Sequence, residues 1–397
     1  MSTARASHRP GLGARLHAEY HTVALVLQGG GAMGSYQGGI YEGLAQAGLR
    51  PNWLAGISIG AINAAIIAGN EPSRQVDQLH AFWRSICRPP FLPATPVDYL
   101  RDTVAHLPPQ IGSMMNAWEA WRAMIEGQQG FFVPRTPSLR GPWEHAPETA
   151  SLYDTAPLKS TLEAFVDFDR INACETRVSV GAVNVRTGNF AYFDNTEQPL
   201  RAEHFMASGA LPPSFAPVLI DGEYYWDGGI VSNTPLYQIL QSNPSKHSLV
   251  FQVDLWSALG EVPGNLSEVA IRQKDIQYSS RTRLVTDYMR QVQEYRSLLQ
   301  QLMKYVPQAK RATDPAYQKA LELASDRRIN VIHMIYRGKK CEEPYKDYQF
   351  GVLGMEERWA SGLEDIRRTL QHPDWFAMPS ADKPFITHDV HHPGHGQ

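Results

Sequence analysis

Val23-Ala24-Leu25-Val26-Leu27-Gln28-Gly29-Gly30-Gly31-Ala32-Met33-Gly34 is the most informative dozen residues in the chain. The first five are continuously apolar and glycines follow at once. A strand covered on both faces reads this way, because neither side needs polar residues. After the glycines the spacing turns helical through Tyr36, Ile40, Leu44 and Ala47, and Gly48 stops it. Trp53 to Ile57 is a second short strand, broken at Ser58, and an alanine-rich helix follows from Ala61 to Ala68. Strand, glycine turn, helix, strand, turn, helix is the opening of an α/β fold. Strand patterns return at Arg177–Val185, Phe190–Phe193, Tyr224–Trp226 and Leu249–Asp254.

The 397 residues divide by texture. Residues 1–20 have scattered arginines and no apolar h-region, so they read as a flexible leader rather than a secretory signal. Residues 21–260 hold the α/β pattern. Within them, 88–150 is a Pro- and Trp-rich insertion with short helical stretches near Asp98–His106 and Asn116–Glu126. Residues 261–397 form a C-terminal extension, mainly helical, with one late strand at Ile329–Tyr336, a last helix at Met355–Leu370 and a histidine-rich tail. Between Val269 and Val306, the apolar residues Val285, Met289, Val292, Leu299, Leu302 and Val306 make a roughly heptad seam. Such a seam serves a core-packing helix or a homo-oligomer contact through 285–306.

Composition removes several classes. A net charge of -3 argues against a nucleic-acid binder. Three cysteines without ligand spacing exclude a disulfide scaffold and a zinc module, so no metal is expected. No apolar run reaches the ~18 residues of a membrane span. The expectation is an enzyme-sized cytoplasmic chain. From Ser267 to Arg311 nine basic residues stand against four acidic ones, which suits a solvated helix face or peripheral contact with an anionic membrane.

Three motifs carry chemistry. Gly29-x-Gly31-x-x-Gly34 matches a dinucleotide loop, but Leu49 to Ala55 lacks the acid that would hold a ribose. Gly56-Ile57-Ser58-Ile59-Gly60 is a G-x-S-x-G turn between strand and helix, which exposes a serine hydroxyl at a helix N-terminus. Asp227-Gly228-Gly229 alone is a hairpin turn, yet its carboxylate could serve as base for an activated serine. Backbone N–H groups of Gly30, Gly31 and Ile59 could form an oxyanion hole.

Taken in order, Gln28–Gly34, Gly56–Ala65, Ala207-Ser208-Gly209-Ala210-Leu211-Pro212 with Phe215-Ala216-Pro217-Val218, and Asp227–Gly229 resemble the patatin-like phospholipases. The likeness spans about Thr22 to Asp254, and the last third resembles the extension of a bacterial branch. The resemblance implies a three-layer α/β/α fold with a mostly parallel central sheet, and residues 21–260 as the catalytic domain. It also implies a Ser–Asp dyad without cofactor, acting on lipid or acyl-ester substrates. Ser58 would be nucleophile, Asp227 base, and Gly29, Gly30 and Gly31 the oxyanion loop. Many relatives carry Arg or Lys where Met33 stands.

Two other readings stay open. An α/β-hydrolase triad would need a histidine, with His247 or His333 in the right order and His204 in the wrong one. A non-catalytic lipid-binding protein could share the fold. For an acyl pocket the candidates are Met33, Met114, Met115, Trp118 and Trp121, with Phe131 and Phe132 adding apolar surface. Simple packing of the insertion onto the sheet explains the same residues equally well.

Overall fold

The computed structural model describes residues 11–87, 109–135, 146–241, 246–279, 282–338 and 345–389. The apolar run after Tyr20 becomes β1 (Thr22–Leu27), and Trp53–Ile57 becomes β2. Two short strands, β3 (Val133–Pro134) and β4 (Tyr153–Asp154), pair with each other away from the main sheet. The later patterns form β5 (Arg177–Asn184), β6 (Phe190–Asp194), β7 (Val218–Ile220), β8 (Glu223–Asp227), β9 (Ser248–Asp254), β10 (Ile329–Ile335) and β11 (Phe385–Asp389). In space the main order is β11-β10-β9-β1-β2-β5-β8-β7, with β6 pairing β5. From β11 to β5 every pairing is parallel, while β6, β7 and β8 join antiparallel.

β1 shows why its sequence is apolar throughout. Val23, Leu25 and Leu27 point into one core and Ala24 and Val26 into the other. The first core lies under helices Ser35–Gln46, Ile59–Ala68, Gln75–Ile86 and Val352–Leu370. The second lies under Leu236–Gln241 and Thr282–Met303. The protein is therefore a three-layer α/β/α fold. In the heptad seam, Met289 belongs to the second core with Val285 against it, whereas Leu302 is exposed.

Two boundaries differ from the sequence reading. Residues 12–19 of the expected leader are a helix, Leu12–Glu19. It is anchored by buried Leu16 and by Tyr20, whose hydroxyl donates to the Ala377 carbonyl (2.9 Å). The C-terminal third is also less of an appendage than its texture suggests. It adds two strands to the central sheet, the expected β10 and then β11, whose last two residues, His388 and Asp389, open the histidine-rich tail. Its helix Val352–Leu370 lies so close to Ser35–Gln46 that a Cβ on Gly39 would sit 1.9 Å from the Trp359 carbonyl oxygen. Only glycine permits that approach. Tyr36 then donates to Asp365 (2.7 Å) and the Trp359 indole to Glu42 (2.6 Å). The expected helix Asp98–His106 and residues 390–397 of the tail lie outside the described residues. Among the described residues no helix is long and apolar enough to cross a membrane.

Candidate active site

The site forms where β1, β2 and β8 end. Gly56 and Gly60 let the chain turn sharply after β2: a Cβ on either would fall 2.4 Å or less from backbone oxygen. Ser58 sits at that turn with φ 55° and ψ -126°, a strained conformation for a side-chain-bearing residue. Its N–H donates to Ser208 Oγ (2.9 Å), and Ser208 in turn donates to the Gly181 carbonyl (2.7 Å). The Ser58 carbonyl accepts from the N–H groups of Ala61 (2.9 Å) and Ile62 (3.2 Å), starting helix Ile59–Ala68. With both backbone groups of Ser58 engaged, the strain is held in place.

Asp227 is the last residue of β8. Ile57 pairs with Gly181 on β5, and the next residue, Ala182, pairs with Asp227. This register brings Asp227 level with Ser58 across one intervening strand. The carboxyl is fully enclosed, and burial pushes its pKa up to about 7 against the pull of the Gly229 N–H and the neighbouring Ser58 hydroxyl. The Gly229 bond is 2.7 Å, to Oδ1. The Asp227 N–H donates to the Ala210 carbonyl (3.0 Å), so the Ala207–Pro212 segment fixes both residues.

Behind the glycine loop lies a polar scaffold. Asn233, buried, donates from Nδ2 to the Gly29 carbonyl (3.0 Å) and the Tyr278 carbonyl (2.9 Å). The Gly29 N–H donates to the Asn233 carbonyl (3.2 Å), and the Trp256 indole donates to the Gly29 carbonyl (2.9 Å). A Cβ at Gly29 would strike Asn233 Oδ1 at 2.4 Å. On the other side Gln37 donates to the Gln28 carbonyl (2.7 Å), Asn63 donates to Gln37 (2.8 Å), and Trp83 donates to Asn63 (3.0 Å). Gly31 takes φ +56°, and a Cβ there would lie 2.3 Å from the Asp347 carbonyl oxygen.

These residues open into a pocket. Gly29, Gly30, Gly31, Ser58, Ile59 and Asp227 line its floor. Its walls are Phe131, Phe132, Leu211, Phe215, Trp256, Tyr278, Tyr348 and Phe350. The acyl-pocket candidates fare differently. Met33 is fully buried in the core and is not part of the lining, because its side chain packs beneath Gly30. Trp118 and Trp121 are exposed, stacked on each other and outside the lining. The side chains of Met114 and Met115 lie outside what the structure describes. Asn233, Trp256, Tyr278 and the Asp347–Phe350 segment were missed by the sequence reading. The Ser232-Asn233-Thr234-Pro235 turn signal could have flagged Asn233, but nothing local marks the rest.

No histidine is among the residues that line the pocket. His204 Nδ1 accepts the Arg201 N–H (2.9 Å), and burial lowers its pKa. His247 Nδ1 accepts the Arg328 N–H (3.0 Å), at the end of β9 where the chain enters the sheet. His333 Nε2 meets Asp254 (2.8 Å) on β10. Among the described residues no group of His, Cys, Asp and Glu could hold a metal ion.

The three-layer fold thus carries an elbow serine beside a buried carboxyl, and comparison with known proteins places that arrangement in a family. A model described as patatin-like phospholipase matches residues 25–240, more than half of the chain. A second, described as patatin phospholipase, matches residues 276–382. The chain belongs to the patatin-like phospholipase family, whose activity is lipid ester hydrolysis. Among solved structures it is loosely similar to VipD from Legionella pneumophila, at 14% identity and a TM-score of 0.33, over 86% of this chain and 67% of that one. No curated protein matches.

Proposed function

We propose that the chain is a serine acyl hydrolase that cleaves lipid carboxylic esters through an acyl-enzyme on Ser58, with Asp227 as base. One feature carries the reading: Ser58, on a strained elbow, stands beside the buried carboxyl of Asp227, whose affinity for protons burial raises toward the neutral range. Asp227 accepts the Ser58 proton as Oγ bonds the acyl carbon and the carbonyl electrons move onto oxygen. That oxyanion would be met by the N–H groups of Gly30, Gly31 and Ile59, since the Gly29 N–H is committed to Asn233. The bond to the alcohol then breaks, and the proton on Asp227 passes to the departing oxygen. Water repeats the sequence: it gives a proton to Asp227 and its oxygen to the acyl carbon, and Ser58 leaves with the proton.

The aromatic and aliphatic walls suit an acyl chain. A histidine triad finds no support in the residues lining the pocket. The test is Ser58→Ala, which should lose at least ~10³-fold in kcat/KM while remaining folded. A fluorophosphonate probe should label the wild type and not the variant. Activity near wild type in Ser58→Ala would end this reading.

A further inference from the structure

Over residues 117–126, where its side chains are described, the helix Pro109–Glu126 is built inside out. Ala120 and Ala123 face inward and are buried. Trp118, Trp121 and Ile125 share the opposite face and are 49%, 48% and 54% exposed. The two indoles stack at 5.1 Å, so the face is ordered as well as apolar. A helix that only packed the insertion onto the sheet would bury its large side chains and expose its alanines.

The same segment continues into the pocket. Six residues beyond Ile125, Phe131 and then Phe132 are pocket wall, and the wall-packing Tyr153 donates its hydroxyl to the Met124 carbonyl (2.7 Å). A second exposed ridge is joined to another wall. Leu259, Val262 and Leu266 are exposed, Val262 at 93%. They follow the wall residue Trp256 and run into helix Leu266–Tyr278, whose last residue is also wall. Arg272 ties this loop down by donating to the Ser257 carbonyl (3.3 Å).

We propose that these two ridges seat the molecule on a lipid surface with uncharged or zwitterionic head groups, bringing the pocket mouth to lipid esters held in that surface. The inference rests on the reading of the pocket as an acyl-ester site. Exposed tryptophan and aliphatic residues on segments that run directly into a lipid-ester pocket fit an interface, since an indole keeps its N–H near water while its ring enters apolar surroundings. Local charge gives no reason for anionic lipid. Glu119 and Glu126 outnumber Arg122 on the first ridge's helix. Around the second ridge Arg272 is spent on carbonyl oxygen and Lys274 on Asp347 (2.7 Å). Both ridges continue into walls of one pocket, and a lipid surface, unlike a protein partner, supplies the ester that such a pocket takes.

The test uses Ser58→Ala protein, which leaves the lipid unconsumed, and phosphatidylcholine vesicles. It should co-sediment with them, and equally at low and high salt. Adding Trp118→Ser and Trp121→Ser, or separately Val262→Ser and Leu266→Ser, should weaken that binding at least ~10-fold. In the Ser58-intact protein the same changes should leave kcat/KM on a water-soluble short-chain ester within about twofold, which also shows that the variants fold. Undiminished binding of both ridge variants overturns the proposal. So does binding that needs anionic lipid and vanishes in salt. A lipid-free dimer that the tryptophan changes dissociate would make the face a contact between copies instead. If wild type binds vesicles and cleaves no ester, the hydrolase reading fails and the surface stands.

Discussion

The floor and the walls of the pocket are made in different ways. Each floor group comes from a residue at or just beyond a strand end: the glycine loop after β1, Ser58 after β2 and Asp227 at the end of β8. Its polar atoms are held by short, enclosed hydrogen bonds, so its geometry tolerates little change. The walls come from segments far apart in the chain, Phe131 and Phe132, Leu211 and Phe215, Trp256 and Tyr278, Tyr348 and Phe350. They meet through ring contacts, such as Phe131 with Phe350 at 6.1 Å. Dispersion contacts are non-directional, so walls can drift where floors cannot. Chemistry should therefore break at the floor, and selectivity should move at the walls.

The largest effect is expected from Asp227→Asn, with a loss of kcat/KM approaching that of Ser58→Ala, ~10³-fold or more. With its pKa raised to about 7, Asp227 becomes a base as pH rises through neutrality, so wild-type kcat/KM should fall below about pH 7 and level off above it. That value overlaps the imidazole range, so the pH profile alone does not separate carboxylate from histidine. Single changes of His204, His247 and His333 to Gln do so, and each should retain most activity. Stability should move oppositely to activity. A carboxyl whose folded pKa is raised is protonated with no penalty below its unfolded value near ~3.8, and that stability is lost as pH climbs through about 7. Asp227→Asn should thus be more stable than wild type at pH 8, by on the order of a few kcal/mol, and not at pH 4. Equal stability at both pH values, in thermal unfolding, would show that the carboxyl is not held in a desolvated site.

Gly31 probes where floor and wall touch. Gly31→Ala meets a left-handed φ and the Asp347 carbonyl at 2.3 Å, so the 345–351 segment must shift. Gly48 offers the control, with φ +68° and nothing within 4 Å of a Cβ. Gly48→Ala should cost about 1 kcal/mol, while Gly31→Ala should cost ~2–3 kcal/mol and reduce kcat/KM tens of fold. Equal stability losses with unimpaired catalysis in both would mean that the wall gives way freely. The pair also marks what could be read without a structure. The apolar run of β1, the G-x-S-x-G elbow and the Asp-Gly-Gly turn are local patterns, and the family resemblance ordered them. Asp347 is 316 positions from Gly31, and its segment has no motif, only a place in space. Trp118 and Trp121 misled for a related reason: helical spacing shows that residues share a face, not which way the face points.

At the walls, Phe131→Leu should leave kcat on short esters near wild type and move the preferred acyl chain longer by one or two methylenes. Each buried methylene is worth about 0.8 kcal/mol, so the shift should be visible in kcat/KM across a chain-length series. Phe131 contacts Phe132, Phe215 and Phe350, and stability should fall by about 1–2 kcal/mol as well. A stability loss with an unchanged chain-length profile would reduce Phe131 to packing.

The smallest effect is expected where the far wall is pinned. Lys274 Nζ bonds both oxygens of Asp347 (2.7 and 2.9 Å), and Lys346 Nζ bonds Asp275 (2.8 Å), so two ion pairs cross between helix Leu266–Tyr278 and the segment that touches Gly31. The first pair is partly open to water, with Lys274 29% and Asp347 13% exposed, and such pairs contribute about 1 kcal/mol or less. Asp347→Asn should therefore lower stability by roughly that amount and raise KM a few-fold with kcat nearly unchanged. High salt should bring the wild type toward the variant, because it screens the pair. The change is small, yet it decides something large. Asp347 and Asp227 are the two carboxylates lining the pocket, and Asp227 is the one whose proton affinity the Ser58 hydroxyl influences. Asp347 meets the Lys274 ammonium instead. If Asp347→Asn abolished kcat while Asp227→Asn spared it, the base would belong to the wall and the division between floor and wall would fail.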